Sequence, residues 1–98
     1  MNLSSQTKSL TEMRNEVVRA KDANEWPSIN MDRVSYRFKT LAANGEWVSS
    51  EQYVLGEASE GEQVMVLDFL TQIDHTNATP VAWSDQCKKA SQVVFALI

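Results

Sequence analysis

The pair Asn44-Gly45, which stands between two short segments of alternating polarity, constrains the fold more than any other feature. These two residues tolerate the positive φ angles of a type I′ turn, so they predict a β-hairpin with the turn centred between them. That placement fixes the register of the hairpin. The expected pairs are Val34–Leu55, Tyr36–Tyr53, Phe38–Glu51, Thr40–Ser49 and Ala42–Trp47.

This register divides the hairpin into an apolar, aromatic face and a polar face. Arg37 and Lys39 are expected on the polar face, and Trp47 on the apolar one. Glu51 does not fit, because it falls on the apolar face. Either it lies at the margin of the sheet, or a β-bulge shifts the register beyond the turn.

An apolar stripe before the hairpin predicts an amphipathic helix. Its members recur at helical spacing, and they are Leu3, Leu10, Met13, Val17 and Ala20. The helix is expected to end before Trp26-Pro27, because a residue that precedes proline avoids the α conformation.

The segment after Gly61 fits two structures. Ser59 and Glu62 form a capping box, and an apolar stripe at helical spacing follows, which favours a helix. Residues 64–71 are also apolar and β-branched enough for a third strand.

The last segment is predicted to be a helix that begins at Thr79-Pro80 or Ser84-Asp85. Its apolar stripe consists of Trp83, Cys87, Ala90, Val94 and Leu97. The expected fold is therefore one α+β domain over residues 1–98: an antiparallel hairpin or three-stranded meander packed with helices, in the order α-β-β-α-α or α-β-β-β-α.

The composition and the scarcity of cysteine and histidine argue against a catalytic or metal site and against a membrane-spanning segment. No apolar run in the 98 residues approaches the ~18 that span a bilayer, and residues 1–10 do not resemble a signal peptide. A single cysteine forms no disulfide framework, and with these features it indicates the cytoplasm. Cys87 and His75 make a weak catalytic pair, since Cys87 is expected to be buried and inert. We expect no catalytic residue, metal or cofactor.

Charge is unevenly distributed along the chain. Residues 42–87 contain eight Asp and Glu and no Lys or Arg. This stretch is either a solvated surface or an acidic face that binds a partner. The candidate binding residues are Glu46, Glu57, Glu60, Glu62 and Asp74. Trp26 and Trp83 are weaker aromatic candidates, because tryptophan is enriched in binding hot spots.

The acidic stretch indicates a protein partner with a basic surface, and it argues against nucleic acid. The leading hypothesis is a non-enzymatic interaction module: a small accessory or inhibitor protein of bacterial, phage or mobile-element type that occludes its target. The alternative is a small ligand-binding or enzymatic domain with a pocket between the aromatic hairpin face and the helices, into which Glu51 or His75 would point. A homo-oligomer joined through the first helix or the apolar C-terminus is a third hypothesis.

Overall fold

The computed structural model of the protein describes residues 8–84 and 89–98. Two α-helices lie against one antiparallel sheet, so the α+β fold is confirmed. The helices are α1 (Leu10–Asp22) and α2 (Glu60–Leu70); the strands are β1 (Val34–Leu41), β2 (Trp47–Ser49), β3 (Tyr53–Val54), β4 (Ala82–Ser84) and β5 (Lys89–Leu97). Short 3-10 helices occupy Met31–Arg33 and Leu55–Glu57. No helix in the described ranges is both long and apolar enough to cross a membrane.

The sheet has the order β2-β1-β5-β4, and β3 pairs with β1 beyond the end of β2. Since β2 and β3 lie along the same side of β1, they form one edge strand interrupted at residues 50–52. The sheet is therefore four strands wide. The central pair, β1 and β5, is joined along seven positions from Val34–Leu97 to Thr40–Ser91.

Helix α1 forms where its stripe predicts. Ser9 caps it by accepting a hydrogen bond from the Glu12 backbone N–H at 3.1 Å, and Glu12 completes a capping box. Its stripe residues from Leu10 onward are buried, while Leu3 lies outside the described residues. The helix ends at Asp22, and the φ of 57° at Asn24 lets the chain turn away two residues later.

Residues Glu60–Leu70 form helix α2, so the helical interpretation of the segment after Gly61 is confirmed. The alternative prediction of a third strand over residues 64–71 is wrong. Ser59 caps α2 by accepting from the Glu62 backbone N–H at 3.3 Å. Val66, Leu67 and Leu70 are buried.

The hairpin forms, but its register is only partly as predicted. Tyr36 pairs with Tyr53 as expected. Nearer the turn, Trp47 pairs with Leu41 and not with Ala42. The loop contains three residues, because the Ala42 N–H bonds to the Glu46 carbonyl at 2.8 Å and the positive φ occurs at Gly45 alone. A type I′ turn needs two positive φ angles, so a different hairpin loop forms.

A β-bulge, one of the two predicted explanations for the position of Glu51, is confirmed. The register shifts by one residue between the Lys39–Ser49 pair and the Tyr36–Tyr53 pair. Residues 50–52 take up the shift, and the Ser50 hydroxyl accepts from the Phe38 N–H at 2.9 Å. The shift replaces the predicted Thr40–Ser49 pair with Thr40–Val48, and Leu55 lies in a 3-10 helix outside the ladder.

The final helix is wrong, because residues 89–97 form strand β5. Val93 and Phe95 are buried, whereas Val94 between them is partly exposed, which is the alternation of a strand with one covered face. Ala90, Val94 and Leu97 fall at helical spacing by coincidence. Cys87 lies outside the described residues, so its burial stays a prediction.

The helices cover one face of the sheet, at the end where β1 begins. Strand residues Val34, Tyr36, Val93 and Phe95 form a buried cluster with the inner faces of α1 and α2. The hairpin end lies outside this cluster, and strand β2 there is exposed throughout. Trp47 is 42% exposed there, so it does not cover a core as expected.

Candidate protein-binding site

Three of the predicted acidic residues lie together at the start of α2. Glu57 ends the second 3-10 helix, while Glu60 and Glu62 occupy the first turn of α2, and all three are exposed. Acidic side chains are favoured in the first turn because the helix dipole is positive there. The structure therefore accounts for their position, and it leaves their carboxylates accessible.

Two contacts fix this acidic end. Gln63 donates from Nε2 to the Leu55 carbonyl at 3.2 Å, which ties α2 to the segment that carries Glu57. Gly56 lets that segment approach the first 3-10 helix closely. A Cβ at Gly56 would overlap the Asp32 carboxylate and lie 3.2 Å from the Asp32 backbone nitrogen.

Glu46 lies elsewhere, beside the hairpin loop. The Glu46 carbonyl accepts a hydrogen bond from the Ala42 N–H. Glu57 lies three residues after Val54, which pairs with Ser35. Positions 35 and 42 of an extended chain are about 23 Å apart at ~3.3 Å per residue. Glu46 and Glu57 are therefore at opposite ends of the hairpin.

Asp74 is also separate, because it follows the C-terminal end of α2, which at 11 residues is about 16 Å long. Its carboxylate accepts from the hydroxyl and the backbone N–H of Thr76, at 2.5 and 2.7 Å. The hydroxyl hydrogen bond, followed by the backbone one, lowers the pKa of Asp74. These contacts give Asp74 a structural role in a turn.

A groove opens between the hairpin and α2, beside the acidic end. Its cavity is about 260 Å³, and it is lined by Tyr36, Phe38, Tyr53, Glu62 and Met65. Tyr36 is the floor at 4% exposed, while Tyr53 at 39% and Met65 at 46% are accessible walls. The ring centroid of Tyr36 lies 5.6 Å from that of Tyr53 and 5.7 Å from that of Phe38. We call these five residues the aromatic groove.

A second recess of about 220 Å³ continues the aromatic groove towards Glu57. Tyr36, Tyr53 and Glu62 line both spaces, and Gln52 and Glu57 line the second. The charged side chains that line the two spaces are therefore both carboxylates.

The acidic end has no ion pair among the side chains that the structure describes. The described ion pairs are Arg19–Glu16, Arg19–Glu25 and Lys21–Asp68, and none of them involves Glu57, Glu60 or Glu62. Burial, and then the negative charge of Glu62, raise the pKa of the Tyr36 hydroxyl. That hydroxyl therefore stays protonated at neutral pH.

The groove differs from the pocket that the alternative hypothesis requires. Glu51 is exposed in the bulge and His75 is exposed in the loop after α2, and neither lines it. Small-molecule sites usually measure ~300–1,000 Å³. The groove alone is smaller than this range, whereas the groove and the second recess together fall within it. In the described part of the chain, no group of three His, Cys, Asp or Glu side chains is placed to hold a metal ion.

The two candidate tryptophans lie outside the groove. Trp26 is 51% exposed in the loop after α1. Trp83 belongs to β4, and its side chain lies outside the described part of the structure.

The alternative hypothesis placed a pocket between the aromatic hairpin face and the helices, and the aromatic groove lies there. The residues expected to point into it were Glu51 and His75, whereas the lining residues of α2 are Glu62 and Met65. The sequence contains one indication of this lining, because Glu62 and Met65 are three residues apart and therefore lie on one side of a helix. Comparisons with protein-family models, with curated proteins and with solved structures found no match to this chain.

Proposed function

We propose that this protein is a non-enzymatic binding module that occludes a basic surface on a target protein. It would be a small cytoplasmic accessory or inhibitor protein of bacterial, phage or mobile-element type. One observation carries the proposal: Glu57, Glu60 and Glu62 lie together, exposed and without an ion pair in the described residues, beside an accessible aromatic groove. Neither nucleic acid nor a membrane is a proposed partner.

The combination of charge and aromatic surface supports binding to protein. Acidic groups that meet basic ones raise the rate of association and fix the orientation of the partner. Aromatic side chains supply most of the affinity when a partner excludes water from them. At the acidic end, the first role falls to the three glutamates and the second to Tyr53 and Met65.

Glu51 and His75 lie outside the groove lining, which favours binding over catalysis. A general acid or base must lie within hydrogen-bond reach of the proton that it transfers. The titratable groups that line the groove are Glu62, Tyr36 and Tyr53, and the raised pKa of Tyr36 keeps that hydroxyl from acting as a base near neutral pH. A small-molecule ligand remains the competing function.

The test is charge reversal once a partner has been captured from the host. The site variant carries Glu57→Lys, Glu60→Lys and Glu62→Lys. The matched control reverses Asp22, Glu46 and Glu51, which are exposed, form no ion pair among the described side chains, lie outside the groove lining and change the net charge equally. Association kinetics of both variants and the wild type are measured over a range of salt concentrations.

We expect the site variant to associate more slowly and to lose most of the salt dependence, while the control retains it. Exposed substitutions cost little stability, so circular dichroism should show both variants folded. Unchanged affinity of the folded site variant, with no effect of salt on the wild type, would refute the proposal. The acidic end would then be a solvated surface.

A further inference from the structure

We propose that the aromatic groove receives the side chain of an arginine from the partner, an assignment that rests on the proposed binding of a basic surface. An arginine side chain needs an apolar wall for its methylene stem, a ring face for its planar guanidinium and a carboxylate for its N–H groups. The groove supplies all three within one lining.

The ring and the carboxylate are adjacent. Tyr53 is half-exposed, and both it and Glu62 line the two connected recesses. A guanidinium against the Tyr53 ring gains a cation–π interaction, and its forked N–H groups suit paired hydrogen bonds to the Glu62 carboxylate. Glu57, at the far end of the second recess, adds a further negative charge.

The wall and the floor suit the stem of the side chain. Met65 and Phe38 give apolar surface, and methionine adapts to irregular shapes. Tyr36 is 4% exposed and lines both recesses, so its ring forms the floor beneath the stem.

Charge and size select the class of ligand. An anionic ligand would be repelled, because the charged groups that line the two recesses are Glu62 and Glu57. A volume of about 260 Å³ suits one side chain better than a cofactor. Lysine would keep the charge interaction, but its ammonium lacks the planar fork that stacks and bonds in pairs, so arginine is preferred.

The groove is formed before binding. Tyr36 lies on the central strand β1 and pairs directly with Tyr53 on β3 and with Phe95 on β5. Side chains that are already held in place lose little freedom on binding, which favours affinity.

The test uses short peptides as probes and the methionine methyl groups as reporters. Acetyl-Gly-Arg-Gly-amide is titrated into the full chain labelled with ¹³C at the Met methyl groups, and compared with the lysine and citrulline peptides. Citrulline keeps the shape of arginine without its charge. We expect the Met65 methyl resonance to shift saturably with the arginine peptide, while the buried Met13 methyl stays unchanged.

Variants locate the contact. Glu62→Gln and Tyr53→Leu should each weaken binding of the arginine peptide by about two- to fivefold. Glu46→Gln at the hairpin loop should leave it unchanged. An amide ¹H–¹⁵N spectrum of each variant shows whether it is folded, and Glu62→Gln preserves the size of the side chain if Tyr53→Leu does not fold.

Three results would overturn the arginine assignment: no saturable shift of Met65, equal binding of the citrulline peptide, or equal binding of the lysine peptide. The proposed function has a different failure, which is partner binding that ignores reversal of Glu57, Glu60 and Glu62. If charge reversal abolishes partner binding while the arginine peptide does not bind, the acidic end acts through its charge alone.

Discussion

Replacement by alanine is predicted to change the stability of the protein in opposite directions at two glycines, Gly45 and Gly61. A Cβ at either Gly45 or Gly61 would have no heavy atom within 4 Å, so neither substitution creates a clash. Gly45 has a φ of +84° in the hairpin loop, whereas Gly61 lies in the first turn of α2. Backbone conformation is therefore the difference between the two sites.

The expected magnitudes follow from that difference. An L-residue in the left-handed region costs about 1–2 kcal/mol. Alanine also restricts the unfolded chain, which stabilises the folded state by about 0.4–1 kcal/mol. Gly45→Ala carries both effects, so it should destabilise the protein by roughly 1 kcal/mol. Gly61→Ala carries only the second, so it should stabilise the protein by about 0.4–1 kcal/mol.

The assay is urea unfolding followed by circular dichroism, supported by thermal melts. In a domain of this size, 1 kcal/mol corresponds to about 4–8 °C in Tm. The Tm of Gly45→Ala should fall and that of Gly61→Ala should rise, with unchanged m values. Gly45→Asn is the control, because asparagine tolerates positive φ better than alanine and should lose less stability.

Two outcomes would refute this reasoning. If Gly45→Ala is as stable as the wild type, the loop does not hold a left-handed residue at position 45. If both alanine variants shift stability in the same direction, backbone conformation does not govern these sites.

Two further predictions concern the body of the fold. Leu70 is 0% exposed, so Leu70→Ala should lower the free energy of unfolding in urea by about 2–5 kcal/mol. Val64 on the same helix is 53% exposed, so Val64→Ala should change it by less than about 0.5 kcal/mol. Equal losses of stability would contradict the assigned core. Hydrogen bonds from Arg19 and then from the Ser28 N–H lower the pKa of Glu16 from 4.5 to about 2. The ionised Glu16 side chain should therefore stabilise the protein above pH 4.5, and this stabilisation should be lost as the pH falls towards 2. Glu16→Gln should flatten that part of a plot of the urea unfolding midpoint against pH.

The sequence predicted the elements that local interactions decide. The stripe of α1, the cap of α2 and a tight hairpin loop at Asn44-Gly45 depend on residues a few positions apart, and these features form, although the loop is not the expected type I′ turn. Strand β5 was missed because its identity depends on pairing with β1, more than 50 positions earlier in the chain. Residues 90–97 satisfy a helical spacing and an alternating one, so only the partner strand decides between them.

The site was predictable in part for the same reason. The exposure of Glu57, Glu60 and Glu62 follows from a polar segment that leads into a helix. Counting charge along the chain added Glu46 and Asp74, although neither is near the other three in space. A pocket between the aromatic hairpin face and the helices was one of the hypotheses, but its lining by Glu62 and Met65 depends on how α2 lies across the hairpin, which no local pattern determines.

The bulge at residues 50–52 links the fold to the proposed site. If the register near the turn continued along β1, Gln52 would be opposite Tyr36. The extra residue instead brings Tyr53 opposite Tyr36. Gln52 instead accepts a hydrogen bond from Arg37 Nη2 at 3.2 Å. The bulge thus brings an aromatic ring, in place of an amide, to the wall that faces Glu62 and Met65, and the binding surface depends on this one-residue irregularity.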